Sequence, residues 1–181
     1  MYFGDEVIKC LVFGNVDSGK TSFVIEHTSE LLRGNPDSIA LIIARKTKTE
    51  RKIPEIPEDL LNRFYFKWAE NRVSLIQVLC NLHVYSQKPL ISLIIEDIQT
   101  YVGREQIFPI IALILNSIST FPLVHLLVTY TPMSSDTNIF NFRLLFTHFI
   151  NTCRERRYAG HFHKNPQLTL EELQKAPTTS N

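Results

Sequence analysis

Residues 7–21 read VIKCLVFGNVDSGKT, an apolar run that leads straight into a glycine-containing loop. The loop, residues 14–21, matches the pattern GxxxxGK[ST], in which backbone N–H groups turn inward around a phosphate. It follows a predicted strand over residues 7–13 and opens a predicted helix over residues 21–32, which is the context that the pattern requires. We therefore predict a phosphate-binding loop; the alternative is a glycine-rich turn with an incidental lysine.

The predicted nucleotide contacts lie in this loop and in the first turn of the helix. The positive end of the helix dipole favours an anion at that point. We expect the Lys20 ammonium to reach the β- and γ-phosphates and the Thr21 hydroxyl to ligate Mg²⁺. The predicted nucleotide-binding residues are Gly14, Asn15, Val16, Asp17, Ser18, Gly19, Lys20, Thr21 and Ser22.

An acidic pair ends a second apolar run, LISLIIED, at residues 90–97. Asp97 has the position of a Walker B acid, which holds Mg²⁺ from the end of a strand, usually through water. Thr21 and Asp97 are thus the predicted metal ligands. Glu96 either polarises a water or faces solvent, so Asp97 and Glu96 are the candidate catalytic residues. The alternative for Asp97 is an ordinary strand-end carboxylate.

Apolar runs of strand length alternate with helical patterns along the chain. The run IALIIA at residues 39–44 is continuous, as expected for a strand that is buried on both faces of a parallel sheet. The alternation predicts an α/β fold with a mostly parallel central sheet, helices on both faces and a C-terminal β-hairpin. Further predicted elements are helices over 72–84, 106–119 and 140–149, and strands over 90–95, 123–129, 150–154 and 158–164.

Length and composition set the remaining bounds. The chain has 181 residues and a net charge of +1, which suits one α/β domain and gives no global basic field. We expect a single domain over residues 1–167 and a flexible tail over residues 168–181. The three cysteines are widely spaced, which argues against a disulfide framework or a zinc site. No signal peptide or membrane span is expected.

Four segments in order resemble the RecA-like group of P-loop ATPases: LVFGNVDSGKTSF, LIIARKTKTERKIP, NRFYFKWAENRVSLIQVLCNLH and SLIIEDIQTYV. More narrowly, they are similar to the small recombinase paralogues that partner a SWIM-type zinc-finger protein. Their order and spacing cover about the first 120 residues, and only the phosphate loop is a strong motif by itself.

The resemblance implies a P-loop NTPase fold of RecA-like type and a role as a mediator of homologous recombination in DNA repair. It implies ATP and Mg²⁺ as ligands and a nuclear location. It also implies single-stranded DNA, a SWIM-type partner in a heterodimer and a strand-exchange recombinase as binding partners. Carried over by position, Lys20 and Thr21 are the nucleotide contacts and Asp97 is the Mg²⁺ acid.

Two positions depart from the RecA-like pattern. The catalytic glutamate that follows the second strand in that group is Arg45 here, and the glutamine that senses the γ-phosphate at the end of a later strand is replaced by Tyr130 and Thr131. We therefore expect nucleotide binding to be retained and ATP hydrolysis to be weak.

Other classes of P-loop protein fit less well. A GTPase needs a DxxG turn and an [NT]KxD motif, and the sequence contains neither in the required place. The main alternative is a small-molecule kinase or NTPase, for which Arg154, Arg156 and Arg157 imitate an arginine-rich lid.

Two local basic clusters are candidate DNA contacts, because single-strand binders combine cations with aromatic platforms. The alternative is that both are solvated loops. Tyr65, Phe66 and Trp68 belong either to the core or to a partner-docking edge. The candidate DNA-binding residues are Arg45, Lys46, Lys48, Arg51 and Lys52 in the first cluster and Arg154, Arg156 and Arg157 in the second.

Overall fold

A computed structural model describes residues 7–46, 56–102, 106–121, 123–132, 142, 145–152 and 161–163. For residues 85–87 and 161–163 only the backbone is described. The predicted tail, residues 168–181, lies outside the described residues. Within these ranges, no helix is long and apolar enough to cross a membrane.

The described chain alternates strands with helices, as the apolar runs predict. The strands are β1 (Lys9–Phe13), β2 (Ile39–Ala44), β3 (Phe64–Trp68), β4 (Leu90–Ile95), β5 (His125–Tyr130), β6 (His148–Asn151) and β7 (His161–His163). The helices are α1 (Lys20–Gly34), α2 (Arg72–Cys80) and α3 (Ile107–Ile118), with short 3₁₀ segments at Glu58–Arg63, Leu82–Gln87 and Ile98–Thr100.

These strands form one sheet in the order β3-β2-β4-β5-β1-β6-β7. Strands β1 to β6 pair in parallel, whereas β7 pairs antiparallel with β6. The predicted α/β fold with a mostly parallel sheet is confirmed, and it is compatible with a P-loop fold. Residues 153–160, between β6 and β7, lie outside the described residues, so the C-terminal hairpin stays a prediction.

Helices cover both faces of the sheet, as predicted. Alternate strand residues such as Cys10, Val12 and Ile42 face α1, while Leu11 and Leu93 belong to the larger cluster beneath α2 and α3. Strands β2, β4 and β5 are buried along their whole length. Continuous apolar runs suit such positions because a strand between two helical layers has no solvent face.

Two predicted helix boundaries are wrong. The helix predicted over 72–84 ends at Cys80, because Asn81 turns the chain: its side-chain amide donates to Gln77 O at 2.7 Å. The helix predicted over 140–149 is also wrong at its end, where His148 and Phe149 belong to β6. The parallel pairing of β6 with β1 decides this region, and local periodicity does not reveal such a long-range contact.

A group of buried histidines lies at the amino ends of β5 and β6, at the opposite end of the sheet from the phosphate loop. His27 on α1 lies with its ring centroid 6.1 Å from that of His125, and His148 is buried at the start of β6. Burial, followed by the charge of the neighbouring His125, lowers the pKa of His27 from 6.5 to about 3. The pKa of His125 is lowered by burial and by His148. All these effects favour the neutral imidazoles.

Acid should therefore destabilise the fold through this group. An unfolded histidine takes up a proton below pH 6.5, whereas folded His27 stays neutral down to about pH 3, so stability falls as the pH drops through this window. At pH 5 the loss from His27 is about 2 kcal/mol. Denaturant unfolding at pH 7 and pH 5 measures it. His27→Leu should reduce the pH dependence, whereas His83→Leu, at an exposed position, should leave it unchanged. If the free energy of unfolding depended equally on pH in the two variants, this assignment would be contradicted.

Candidate phosphate-binding site

The loop between β1 and α1 contains two residues with a left-handed backbone conformation. Asp17 has φ 59° and Gly19, the N-cap of α1, has φ 90°. Glycine suits the second position because a Cβ is strained there. Helix α1 has no side-chain cap and no acidic residue in its first turn. Its positive end is therefore presented to the loop, which is the arrangement that binds anions.

Lys20 folds back over this loop. Its side chain is buried, and its ammonium donates to Gly14 O at 3.0 Å and to Asn15 O at 2.7 Å. The two carbonyls hold the cation at the loop, next to the start of α1. An ammonium and a helix N-terminus that converge in this way can neutralise the terminal phosphates of a nucleotide.

The loop is supported from β6 and β5. Thr152, which follows β6, makes a 2.6 Å hydroxyl contact with Ser18 and donates its backbone N–H to Phe13 O at 2.9 Å. Gly14 donates its N–H to Tyr130 O at 3.3 Å. Thr152 is a residue that sequence reasoning missed, because it lies far from the motif along the chain and carries no motif of its own.

Asp97 lies at the carboxyl end of β4 in a network of hydrogen bonds. Its backbone is left-handed, with φ 45°, and its N–H donates to Thr129 Oγ1 at 2.7 Å. Its carboxylate oxygen Oδ1 accepts from the Thr131 hydroxyl at 3.1 Å and from the Gln99 amide at 3.3 Å. These bonds orient the carboxylate at the same end of the sheet as the phosphate loop.

Strand β5 connects the two halves of the site. It lies between β1, which leads into the loop, and β4, which leads to Asp97. At its end, Tyr130 O accepts from Gly14 and Thr131 donates to Asp97. Strands in a sheet lie about 4.8 Å apart, so the loop and the acid are separated by about 10 Å. A triphosphate with its Mg²⁺ and ordered waters has the length to bridge that gap.

Glu96 also points to this end of the sheet. Its N–H donates to Ile43 O at 3.0 Å, so the ladder continues one residue beyond β4. Strand alternation places Glu96 on the face of Ser92, whose hydroxyl lies 3.1 Å from that of Thr28 on α1. Glu96 therefore shares a face with α1 and its loop. Burial, followed by the charges of Glu96 and Asp97, raises the pKa of Tyr101 beneath them.

At each of the two positions that depart from the RecA-like pattern, the residue type that is missing lies nearby: a glutamate is close to Arg45, and a glutamine is close to Thr131. Arg45 follows β2, is exposed, and lies 3.9 Å from Glu70 in an ion pair. Gln99 reaches the end of β5, where its Oε1 accepts from Thr131 N at 3.2 Å. Gln99 was missed from sequence because it belongs to the turn after β4 and not to β5.

The donors at the site suit a hard cation. A hydroxyl at Thr21 and a carboxylate at Asp97 are oxygen ligands of the kind Mg²⁺ takes, and Mg²⁺ keeps several waters instead of requiring a full protein cage. In the part of the chain that is described, no group of three or more His, Cys, Asp or Glu residues could hold a metal. Thr21 and Asp97 stay the predicted Mg²⁺ ligands.

The structure describes only part of the predicted DNA-binding surface. Arg45 and Lys46 are exposed at the end of β2. The other candidates lie outside the described residues: Lys48, Arg51, Lys52, Arg154, Arg156 and Arg157.

A scan against protein-family models and a search of curated proteins gave no match for this chain.

Gly14→Ala should damage the loop, because the added Cβ would lie 2.4 Å from Thr152 Oγ1 and 2.7 Å from Thr152 O. The backbone oxygen cannot rotate away, so we expect a loss of about 1–3 kcal/mol in stability, measured by thermal unfolding. Gly34→Ala is the matched control, since a Cβ there meets nothing within 4 Å. Equal stabilities for the two variants would show that the loop does not pack against Thr152 in this way.

Proposed function

We propose that this protein is an ATP-binding P-loop protein of RecA-like type that acts as a mediator of homologous recombination. In this proposal ATP and Mg²⁺ are structural ligands and hydrolysis is slow. The observation that carries the proposal is the Lys20 ammonium, which is held over a left-handed loop at the uncapped start of α1. Few arrangements other than phosphate binding require a buried lysine at such a point.

The strand order is compatible with a P-loop fold. Strand β5 lies between the strand of the loop and the strand of Asp97. The RecA-like type within that fold rests on the resemblance of the four sequence segments.

Each residue of the site has a separate task in nucleotide binding. The amides of the loop and the Lys20 ammonium would bind the phosphates and offset their charge. The Thr21 hydroxyl and the Asp97 carboxylate would ligate Mg²⁺. Thr131 and Gln99 fix Asp97 through its Oδ1. Bound Mg²⁺ would neutralise part of the charge of the phosphates.

We expect slow hydrolysis because of Arg45, the residue that follows β2. A water-activating base is needed near the γ-phosphate, and Arg45 is a permanent cation there. Its neighbour Glu70 belongs to the chain beyond the edge strand β3 and pairs with Arg45 itself. Glu96 is a carboxylate on the sheet face that α1 and its loop cover, so residual turnover should depend on it.

The partners come from the resemblance alone. We propose that the protein forms a heterodimer with a SWIM-type zinc-finger protein in the nucleus, binds single-stranded DNA and assists a strand-exchange recombinase. A mediator of this kind should be stabilised by co-expression with its partner. A small-molecule kinase should instead be a stable monomer that consumes ATP only when an acceptor is added.

Lys20→Ala should weaken binding of a fluorescent ATP analogue at least about tenfold, since it removes charge-assisted hydrogen bonds to phosphate. Lys88→Ala is the control, because Lys88 is exposed at the opposite end of the sheet. Circular dichroism of both variants checks that they are folded. Unchanged affinity in folded Lys20→Ala would overturn the proposal.

Asp97→Asn should leave the affinity for metal-free ATP nearly unchanged and remove the gain in affinity that Mg²⁺ gives. The amide keeps the shape of the carboxylate but is a poor Mg²⁺ ligand. Titrations with Mg²⁺ and with EDTA measure the difference. If Glu96→Gln removes the Mg²⁺ effect and Asp97→Asn does not, the metal acid is Glu96.

A further inference from the structure

A residue outside the motif joins the two ends of the phosphate loop. Thr152 follows β6, and its hydroxyl donates to Phe13 O at 3.3 Å and lies 2.6 Å from the Ser18 hydroxyl. Phe13 directly precedes the first glycine of the loop, and Ser18 directly precedes the second. A single hydroxyl from a distant strand end therefore ties the start of the loop to its end.

The hydrogen bonds of this contact have a defined direction. A hydroxyl has one proton, and that of Thr152 is given to Phe13 O, so the Ser18 hydroxyl donates to Thr152 Oγ1. The backbone N–H of Thr152 also donates to Phe13 O, at 2.9 Å. Ser18 is buried, and its own N–H donates to Asn15 O at 3.2 Å. Ser18 is thus fixed through both its side chain and its backbone.

The space at Gly14 shows how closely Thr152 approaches the loop. Gly14 does not have a left-handed backbone, so its φ does not require glycine. A Cβ there would lie 2.4 Å from Thr152 Oγ1 and 2.6 Å from Ser18 Oγ. The two hydroxyls occupy the space that a side chain at position 14 would need, so the first glycine of the motif is matched to Thr152.

A loop that is fixed before the ligand arrives binds it more tightly. The apparent affinity falls in proportion to the fraction of molecules whose loop has another conformation. The Lys20 ammonium also holds the loop, through Gly14 O and Asn15 O, but in the proposed function it must contact the phosphates as well. The contacts of Thr152 are with the loop and the end of β1, so they can persist when a nucleotide binds.

We propose that Thr152 is a positioning residue of the nucleotide site, whose hydroxyl holds the loop through Ser18 and thereby raises the affinity for ATP. This inference rests on the proposed function. Thr152→Ala should weaken binding of a fluorescent ATP analogue about 3-fold to 10-fold, because the loss of a hydrogen bond lowers the fraction of loops that are ready to bind. Thr152→Ser keeps the hydroxyl and should stay within about twofold of the unchanged protein.

Thr147 offers a matched control at the other end of the same strand. It precedes β6, and its N–H and hydroxyl donate to Lys9 O at 2.9 and 3.1 Å, just as those of Thr152 donate to Phe13 O. Thr147→Ala therefore removes the same kind of bond between β6 and β1, but far from the loop. It should lower the melting temperature, as Thr152→Ala does, and leave the affinity for the ATP analogue unchanged.

A double-mutant cycle tests whether Thr152 acts through Ser18. Ser18→Ala removes the same contact from the side of the loop and should also weaken binding. The double variant should bind about as well as Thr152→Ala alone, whereas independent losses would multiply and overturn the proposal. If Thr152→Ala does not fold, Ser18→Ala decides: weaker binding supports the proposal, and unchanged affinity overturns it.

The outcomes separate this inference from the proposed function. If Thr152→Ala binds the ATP analogue as well as the unchanged protein does, the positioning role is overturned and the proposed function stands. If Thr152→Ala and Thr147→Ala weaken binding equally, the effect is a general loss of stability, and the positioning role is again overturned. If the unchanged protein is folded by circular dichroism and binds no ATP analogue, the proposed function fails and the positioning role fails with it.

Discussion

The reversal of the backbone at Gly19 is the constraint on which the whole site depends. A φ of 90° at this residue lets the chain leave β1, turn back and enter α1 at Lys20. The start of the helix then faces the space above the sheet, and the Lys20 side chain can reach the Gly14 and Asn15 carbonyls. A residue with a Cβ would strain this turn and displace both the amides and the ammonium.

The rest of the fold holds this turn in place from the strands on either side of β1. Thr152, which follows β6, makes hydrogen bonds with Ser18 and Phe13, and Tyr130 O at the end of β5 accepts a hydrogen bond from Gly14 N. The same strand end holds Asp97 through Thr131. A short strand, β5, thereby sets the distance between the two halves of the site. Because β5 is buried along its whole length, the apolar core around it keeps that distance fixed.

Sequence alone predicted what is local and left out what is distant along the chain. Apolar runs such as residues 39–44 and 90–95 were recognised as strands because both of their faces are covered. The end of α2 at Cys80 was missed, since only the Asn81 contacts mark it. Thr152 and Gln99 could not be found from sequence, because their roles arise where separate strand ends meet. The DNA contacts of both basic clusters and the flexible tail stay predictions.

The central claim is that the amides of residues 15–21 close around the terminal phosphates of a nucleotide. The most direct test is to follow the backbone amide resonances of the ¹⁵N-labelled protein by NMR as Mg·ATP is added, together with the proposed SWIM-type partner if solubility requires it. The account predicts large, saturable shifts at residues 15–21 and small ones at residues 82–90 at the opposite end of the sheet. A folded protein in which the loop resonances do not move at millimolar Mg·ATP would contradict it.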